Sequence, residues 1–351
     1  MSNLITSVVV CAFNEEKRLK DCLNSIKSQI IASVENTEII IVDNDSKDET
    51  SNIAIKFIKE NDNLMIRYFK IEHVPLTSSR NTAISFCQGN YIVFVDADAI
   101  VGDGWLKHIL KEFNTNTSIV AGSVSNLNTD SLFAEFIYQS HFKCSLAKNP
   151  FIGANMAYKK SVFDHTGGFF SATSNRGDET LFLQEYTSKN PDKKIGFAKN
   201  SIVYNDFPNT FLEWLKQQYT GGREYLNISK FNNKSLIDVL QEILRAINIL
   251  FLPHLLIHFF VISSPLYFLH FILFLIRNIY KLKHCYCGSR NLFFKGNIFQ
   301  AIMFFPVTIM GALSTDCGYV LQAILSFNKV LDKSNAKVSK VINQIKSNKV
   351  E

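Results

Sequence analysis

The sequence predicts an α/β fold, a mainly parallel sheet flanked by helices, followed by apolar C-terminal helices. Three observations lead there. Short β-branched runs alternate with helical patterns through the first two thirds, as in a parallel sheet covered on both faces. Acidic and amide residues cluster directly after those runs, beyond the carboxyl ends of the strands, where such sheets bind ligands. Near Leu236 the composition turns abruptly apolar.

Taken in order, residues 7–12 (Ser-Val-Val-Val-Cys-Ala) form a buried-strand candidate, and Leu19, Cys22, Leu23 and Ile26 then recur at helical spacing. Residues 38–42 make the next strand, followed by a helix over about 49–59. Residues 65–69 and 91–95 are two further strands, with a helix around 79–86 between them. The polar clusters fall after these strands: Asn14-Glu15 after the first, Asp43–Asp45 after the second, Asp96–Asp98 after the fourth.

Farther on, residues 246–262 and 265–276 form a nearly charge-free stretch broken at Ser263-Ser264-Pro265. A second apolar block, 298–327, is weakened at Thr315-Asp316. A spanning helix needs roughly 20 apolar residues, so the first stretch reads as one long kinked helix or a tight pair. Lys281, Lys283, Arg290 and Lys295 between the blocks, and lysines after them, predict that loop and tail face the cytoplasm. That favours an even number of crossings per block, or blocks lying in the interface, with fully buried soluble helices as the alternative. The expected plan is an α/β domain over 1–230, amphipathic and transmembrane or interfacial helices over 231–327, and a basic cytoplasmic tail over 328–351.

Bulk composition narrows the function classes. A net charge of +6 is too modest to call for nucleic acid, and no nucleic-acid partner is expected. Lys329, Lys333, Lys337, Lys340, Lys346 and Lys349 crowd the tail against only Asp332 and Glu351, which suits anionic lipid headgroups; a solvated tail fits as well. Seven scattered cysteines give no disulfide framework, and Cys285-x-Cys287 matches no zinc pattern, so reduced thiols are expected. Met1–Thr6 carries no basic n-region and the apolar run 8–12 is too short for a signal sequence. The α/β domain is therefore expected to stay where it is made, facing the cytoplasm at the membrane.

The sharpest motif is Val93-Phe-Val-Asp-Ala-Asp98, an apolar strand ending in two carboxylates one residue apart. Such a pair can meet one hard cation through oxygen ligands. Magnesium or manganese held by one or two carboxylates keeps positions for substrate phosphates and neutralises charge on a diphosphate leaving group. Asp-x-Asp is also common in turns, so its place at a strand tip is what lends it weight. Val42-Asp-Asn-Asp-Ser-Lys-Asp48 likewise follows a strand, although Ser46 or Asp48 can simply cap the next helix. Asn14-Glu15-Glu16 can be a plain helix start.

These pieces in this order resemble the family 2 glycosyltransferases, which have the GT-A nucleotide-diphospho-sugar transferase fold. The matching residues are Val10-Cys-Ala-Phe-Asn-Glu-Glu16, Ile41-Val-Asp-Asn-Asp-Ser-Lys-Asp48, Ser79-Arg-Asn81 and Gly89-Asn-Tyr-Ile-Val-Phe-Val-Asp-Ala-Asp98. Gly153-Ala-Asn155 and Gly167-Gly-Phe169 look like the family's second-half landmarks, and the resemblance covers roughly residues 5–230. It implies that Asp43 holds the nucleotide base or ribose, that Glu15 lies near the ribose and that Arg80 lies near the diphosphate. Asp96 would then sit at the nucleotide and Asp98 would bind a divalent metal, Mn2+ or Mg2+. A surface ion pair is the plain alternative for Arg80.

Inverting members take their general base from an acidic pair that opens a helix, usually Glu-Asp. The corresponding stretch here is Arg176-Gly-Asp-Glu-Thr180, with the order reversed. By position Glu179 takes the base role; a shift of one residue gives it to Asp178, and helix-dipole compensation is the structural alternative. Trp214–Glu224, with Gln217, Gln218 and Arg223, resembles the Gln-rich, Arg-ending segment that follows the base and faces the acceptor. The processive members' Gln-x-x-Arg-Trp is absent, since Gln218 is followed by Thr220-Gly221-Gly222, so a single-addition enzyme is expected.

The resemblance implies an inverting transfer from a UDP- or GDP-type sugar donor to a membrane lipid or lipid-linked glycan. Direct transfer onto polyprenyl phosphate, or a non-catalytic membrane scaffold with a degenerate transferase domain, are the rival expectations. A dinucleotide-dependent oxidoreductase is excluded, because the first turn reads Ala12-Phe-Asn-Glu-Glu16 and no Gly-x-Gly-x-x-Gly follows.

Overall fold

Each run marked out by β-branched residues is a strand in the computed structural model of the chain, which describes residues 6–32, 36–139, 153–169, 178–229, 310, 314 and 317. Strands β1 (Thr6–Ala12), β2 (Thr37–Asp43), β3 (Met65–Lys70) and β4 (Tyr91–Asp96) lie parallel in the order β3-β2-β1-β4. Almost every residue of β1 and β2 is buried, since helices cover both faces; that is why they read as unbroken apolar runs. The outer strand β3 is only partly buried.

On one face α1 (Leu19–Ala32) and α2 (Thr50–Lys59) pack. Leu19, Cys22, Leu23 and Ile26, the residues whose spacing predicted a helix, are fully buried there against Val8, Val10, Ile39 and Ile41. Opposite lies α3 (Leu76–Phe86), which starts straight after Pro75 rather than near residue 79, because proline fits before a helix and not inside it. The same first face also receives α4 (Trp105–Lys111). The short α5 (Leu132–Ile137) follows, and α6 (Lys160–Thr166) and α7 (Asp178–Lys189) join α3 on its face.

Beyond β4 the sheet stays mainly parallel, with two of its eight strands reversed, but none of its last four strands stood out in the sequence. In chain order they are β5 (Ile100–Val101), β6 (Thr117–Asn126), β7 (Asn155–Lys159) and β8 (Lys194–Asn205), and the full order is β3-β2-β1-β4-β7-β6-β8-β5. Strand β7 runs antiparallel to both β4 and β6, with Val95 opposite Asn155. Strand β8 is parallel to β6 and antiparallel to β5. These partners are set by long-range pairing, which local periodicity does not encode.

The chain groups into two compact units, one built on residues 1–210 and the other beginning at Phe211. Helix α8 (Phe211–Ser229) belongs to the second. Within that unit Trp214 is buried, its ring 6.2 Å from that of Phe211, and Ser314 Oγ donates to the Leu215 carbonyl at 2.7 Å. Among the described residues no helix is long and apolar enough to cross a membrane. The expected membrane helices and basic tail lie outside the described residues, Met310, Ser314 and Cys317 apart.

Candidate active site

The loops leaving β1 and β2 are braced against each other. Asn14 and Asp45 both adopt the left-handed conformation, φ 56° and 62°, which these two residue types tolerate better than other side-chain-bearing residues. The Asn14 amide donates to Ser46 Oγ at 3.0 Å, and Asn14 Oδ1 accepts from the Lys47 amide at 2.8 Å. The Glu15 amide donates to Thr50 Oγ1 at 2.7 Å. The Glu16 amide donates to Asp48 Oδ2 and the Glu49 amide to Glu16 Oε2, each at 3.2 Å. Ser46, Asp48 and Thr50, which as helix-capping types could have served their own helix alone, therefore hold the neighbouring loop in register.

Asp43 is fully buried at the foot of this bracing. Its carboxylate accepts from the Ser46 amide at 2.8 Å, from the Tyr68 hydroxyl at 2.8 Å and from Ser51 Oγ. Burial opposes ionisation, but the hydrogen bonds from Ser51, Ser46 and Tyr68 outweigh it and hold the carboxyl below its ordinary value. Asp43 thus shares the sheet edge with Asp96 on the far side of β1, yet its carboxylate serves its own loop.

A second group of carboxylates gathers where β1, β4 and β8 end. Asp96, the last residue of β4, lies opposite Cys11, and the Ala99 amide donates back to its carbonyl at 3.1 Å as the chain turns through Asp98. Arg80 is buried on α3, donates from Nη2 to Asp96 Oδ1 at 3.1 Å, and lies 5.9 Å from the Phe94 ring. Burial, then the charges of Asp96 and Asp206, push the Asp98 carboxyl up to about 6, with Arg18 pulling the other way. Burial, then Asp98, Asp96 and Asp48, push Glu15 up to about 7, again against Arg18. The Cys22 thiol beneath them, 3.5 Å from the Asp96 carbonyl, is driven further toward its neutral form by burial and the same acids, so it offers no nucleophile.

Asp206, directly after β8, pairs with Arg18 through Oδ2, whereas its Oδ1 is buried without a hydrogen-bond partner among the described residues. The neighbouring Asn205 Oδ1 is buried and unmatched in the same way. Arg18 and Arg80 offset only part of this crowded negative charge, and unmatched buried oxygens call for a partner. Among the described residues no three His, Cys, Asp or Glu side chains converge closely enough to hold an ion alone. The all-oxygen donor set and the orphaned Asp206 oxygen suit a magnesium or manganese ion completed by oxygens of a bound phosphate ligand.

The other expected residues scatter. Asp178 is the first residue of α7 and Glu179 the second. Gly153 is buried just ahead of β7. Asn155, a second-half landmark by resemblance, is fully buried: its Oδ1 accepts from Trp105 Nε1 at 2.9 Å, and its Nδ2 donates to the Ser123 and Ser201 carbonyls at 2.8 and 2.9 Å. Both Nδ2 hydrogens and its Oδ1 tie β6, β7, β8 and α4 together. Gly122 gives it room, since a Cβ there would come within 2.2 Å of Asn155 Nδ2. Gln217, Gln218 and Arg223 lie on α8, in the second unit. Arg18 and Asp206 were missed. Asp206 did carry a signal, because Ile202-Val-Tyr-Asn-Asp206 repeats the pattern of an extended run ending in acid.

Residues 7–174 match the family model described as "Glycosyl transferase family 2", and residues 91–314 match "Glycosyl transferase family group 2". The chain is 27% identical to the glycosyltransferase AglE of Haloferax volcanii over 66% of this chain and 76% of that protein. It is 24% identical to the poly(ribitol-phosphate) beta-N-acetylglucosaminyltransferase TarP of Staphylococcus aureus over 69% of this chain and 71% of that protein. With other curated relatives the match spans as little as 12% of their length. In fold it is similar to the mannosyltransferase PcManGT of Pyrobaculum calidifontis, solved with GDP-Man and Mn2+, at a TM-score of 0.55 and 17% identity, covering 86% of each chain.

Proposed function

The chain belongs to the family 2 glycosyltransferases, and on that premise we propose that it makes an inverting, single-addition sugar transfer from a UDP- or GDP-type donor. The acidic cluster of Glu15, Asp96, Asp98 and Asp206, with Arg80 paired to Asp96, supports this most directly. Arg80 faces the position of the donor diphosphate, and Glu15 with the braced β1 loop lines the ribose side. Asp43 contributes by fixing the Asn44–Asp48 loop rather than by reaching the nucleotide.

Asp96, Asp98 and the unmatched Asp206 oxygen are the groups that would hold a divalent ion. When bound, such an ion supplies charge neutralisation at the leaving diphosphate. That PcManGT was solved with GDP-Man and Mn2+ supports this choice of ligand class.

In the transfer, the acceptor hydroxyl oxygen bonds to the anomeric carbon as the bond from that carbon to the diphosphate oxygen breaks. The electron pair leaves with the nucleoside diphosphate, and the hydroxyl proton passes to the carboxylate at the start of α7, Glu179 or its neighbour Asp178. The acceptor we propose is a membrane lipid or lipid-linked glycan, met at the cytoplasmic membrane face. The apolar composition of 246–276 and 298–327, the lysine-rich tail and the polymer acceptor in the name of TarP support that choice.

A donor screen on membrane-bound protein, detecting released nucleoside diphosphate with and without EDTA, tests the proposal. Release from one sugar nucleotide that stops with EDTA is expected. Failure of every nucleoside diphosphate sugar to turn over would refute it.

A further inference from the structure

The residue next to Arg80 makes contacts that the transfer reaction as described leaves unused. Asn81 Nδ2 donates to the Phe169 carbonyl at 2.7 Å, and Asn81 Oδ1 accepts from the Phe169 amide at 2.7 Å. The side-chain amide thereby pairs with the backbone of Phe169 as a neighbouring strand would. The turn is shaped for this pairing. Gly167 and Gly168 have φ of 74° and 107°, and a Cβ on Gly168 would stand 2.6 Å from Asn81 Oδ1. A side chain at 168 would push the amide away whatever its chemistry.

Phe169 is the hub between the two halves of the site. Its ring lies 5.6 Å from Phe94, two residues before Asp96 and on the same face of β4. It also lies 5.0 Å from Phe182, one turn into α7 from Asp178 and Glu179. Phe94, Phe169 and Phe182 are all buried, and close-packed cores transmit displacement rather than absorb it. One uninterrupted chain of contacts therefore runs from Asp96 and Arg80, through Asn81 and Phe169, to the helix that carries the acidic pair.

We infer that Asn81 is a positioning residue that sets α7, and with it the acidic pair at its start, at a fixed distance from the Arg80–Asp96 pair. This rests on the proposed transfer for the identity of the base. Asn81 touches neither substrate nor reacting atoms in this role; it acts through Phe169 and Phe182.

Three measurements on the full chain test it. Asn81→Ala should lower kcat about tenfold to a hundredfold, since displacements near 1 Å cost that much, while nucleoside diphosphate affinity changes less than about threefold. Glu179→Gln and Asp178→Asn identify the base by the larger loss of kcat. In that variant's background the further loss from Asn81→Ala should shrink below about threefold, because a misplaced group that is already absent costs nothing. An equal loss in both backgrounds, or a parallel fall in nucleotide affinity, overturns the inference.

Hydrogen exchange supplies a readout independent of chemistry: Asn81→Ala should lower protection of α7 amides and leave β4 and α1 unchanged. Unchanged α7 protection overturns the inference even if neither acidic variant affects turnover, an outcome that separately refutes the carboxylate base. Should Asn81→Ala fail to fold, Phe182→Leu acts on the next link and should give the same split between kcat and affinity.

Discussion

Arg18 and Asp206, 188 positions apart, form an ion pair that joins the turn after β1 to the end of β8. It brings a cation that moderates both Glu15 and Asp98 to a residue whose other carboxylate oxygen is buried and unmatched among the described residues. Around this acidic cluster Arg18 and Arg80 divide the work of counter-charge, one at Asp206 and the other at Asp96.

Replacing Arg18 with glutamine should tighten Mn2+ binding and weaken the metal-free fold together. The guanidinium repels a divalent ion and occupies Asp206 Oδ2, so its removal frees an oxygen and lowers the local positive potential. Both partners are partly exposed, which limits the stability cost to about 1 kcal/mol, or a Tm drop of about 2–4 °C. Calorimetric Mn2+ titration and thermal melts in EDTA check the two halves. Weaker Mn2+ binding would contradict the pairing's proposed role.

The metal-free fold should lose stability as pH rises between about 4 and 7. Glu15 and Asp98 titrate near 7 and 6 in the folded chain, against ordinary values of 4.5 and 3.8. Between those limits the folded state binds more protons than the unfolded state, so stability falls with rising pH and levels off above the folded values. Melts in EDTA at pH 5 and pH 8 should show the drop, and Glu15→Gln should reduce it. Saturating Mn2+ should reduce it as well, because a bound cation favours the ionised forms.

Asn155→Ala should damage the fold rather than the chemistry. It strands the buried Trp105 N–H and two backbone carbonyls, each worth about 1–3 kcal/mol when left unpaired. The urea midpoint should fall steeply and the near-ultraviolet signal of Trp105 should change, while nucleotide affinity of the fraction that stays folded is retained. A variant of normal stability with impaired transfer would contradict this structural role for Asn155.

The parallel half of the sheet was legible because burial on both faces forces unbroken β-branched runs, and the acid at the tip of β4 stands out against Val93–Val95. The half beyond β4 was not legible. Strand β7 is the short Asn-Met-Ala-Tyr-Lys, with no alternation to mark it, and its antiparallel seat between β4 and β6 depends on partners far away in sequence. The same distance hid the pairing of Arg18 with Asp206. Asn155 was legible as a landmark but not in its orientation, since Gly-Ala-Asn does not say whether the amide faces a ligand or two neighbouring strands and a helix. Asp43 was placed at the correct sheet edge, whereas its three internal donors lie on a loop, a helix and a strand that only the fold brings together.

Turnover and Mn2+ binding of Asp98→Asn, measured side by side, test most directly whether the carboxylates at the end of β4 run the transfer. Release of nucleoside diphosphate should fall by about a hundredfold or more, as when one transition-state charge stabiliser is removed, and Mn2+ affinity should fall with it while the fold is kept. Turnover within about twofold of the unaltered chain, at equal metal affinity, would contradict the assignment.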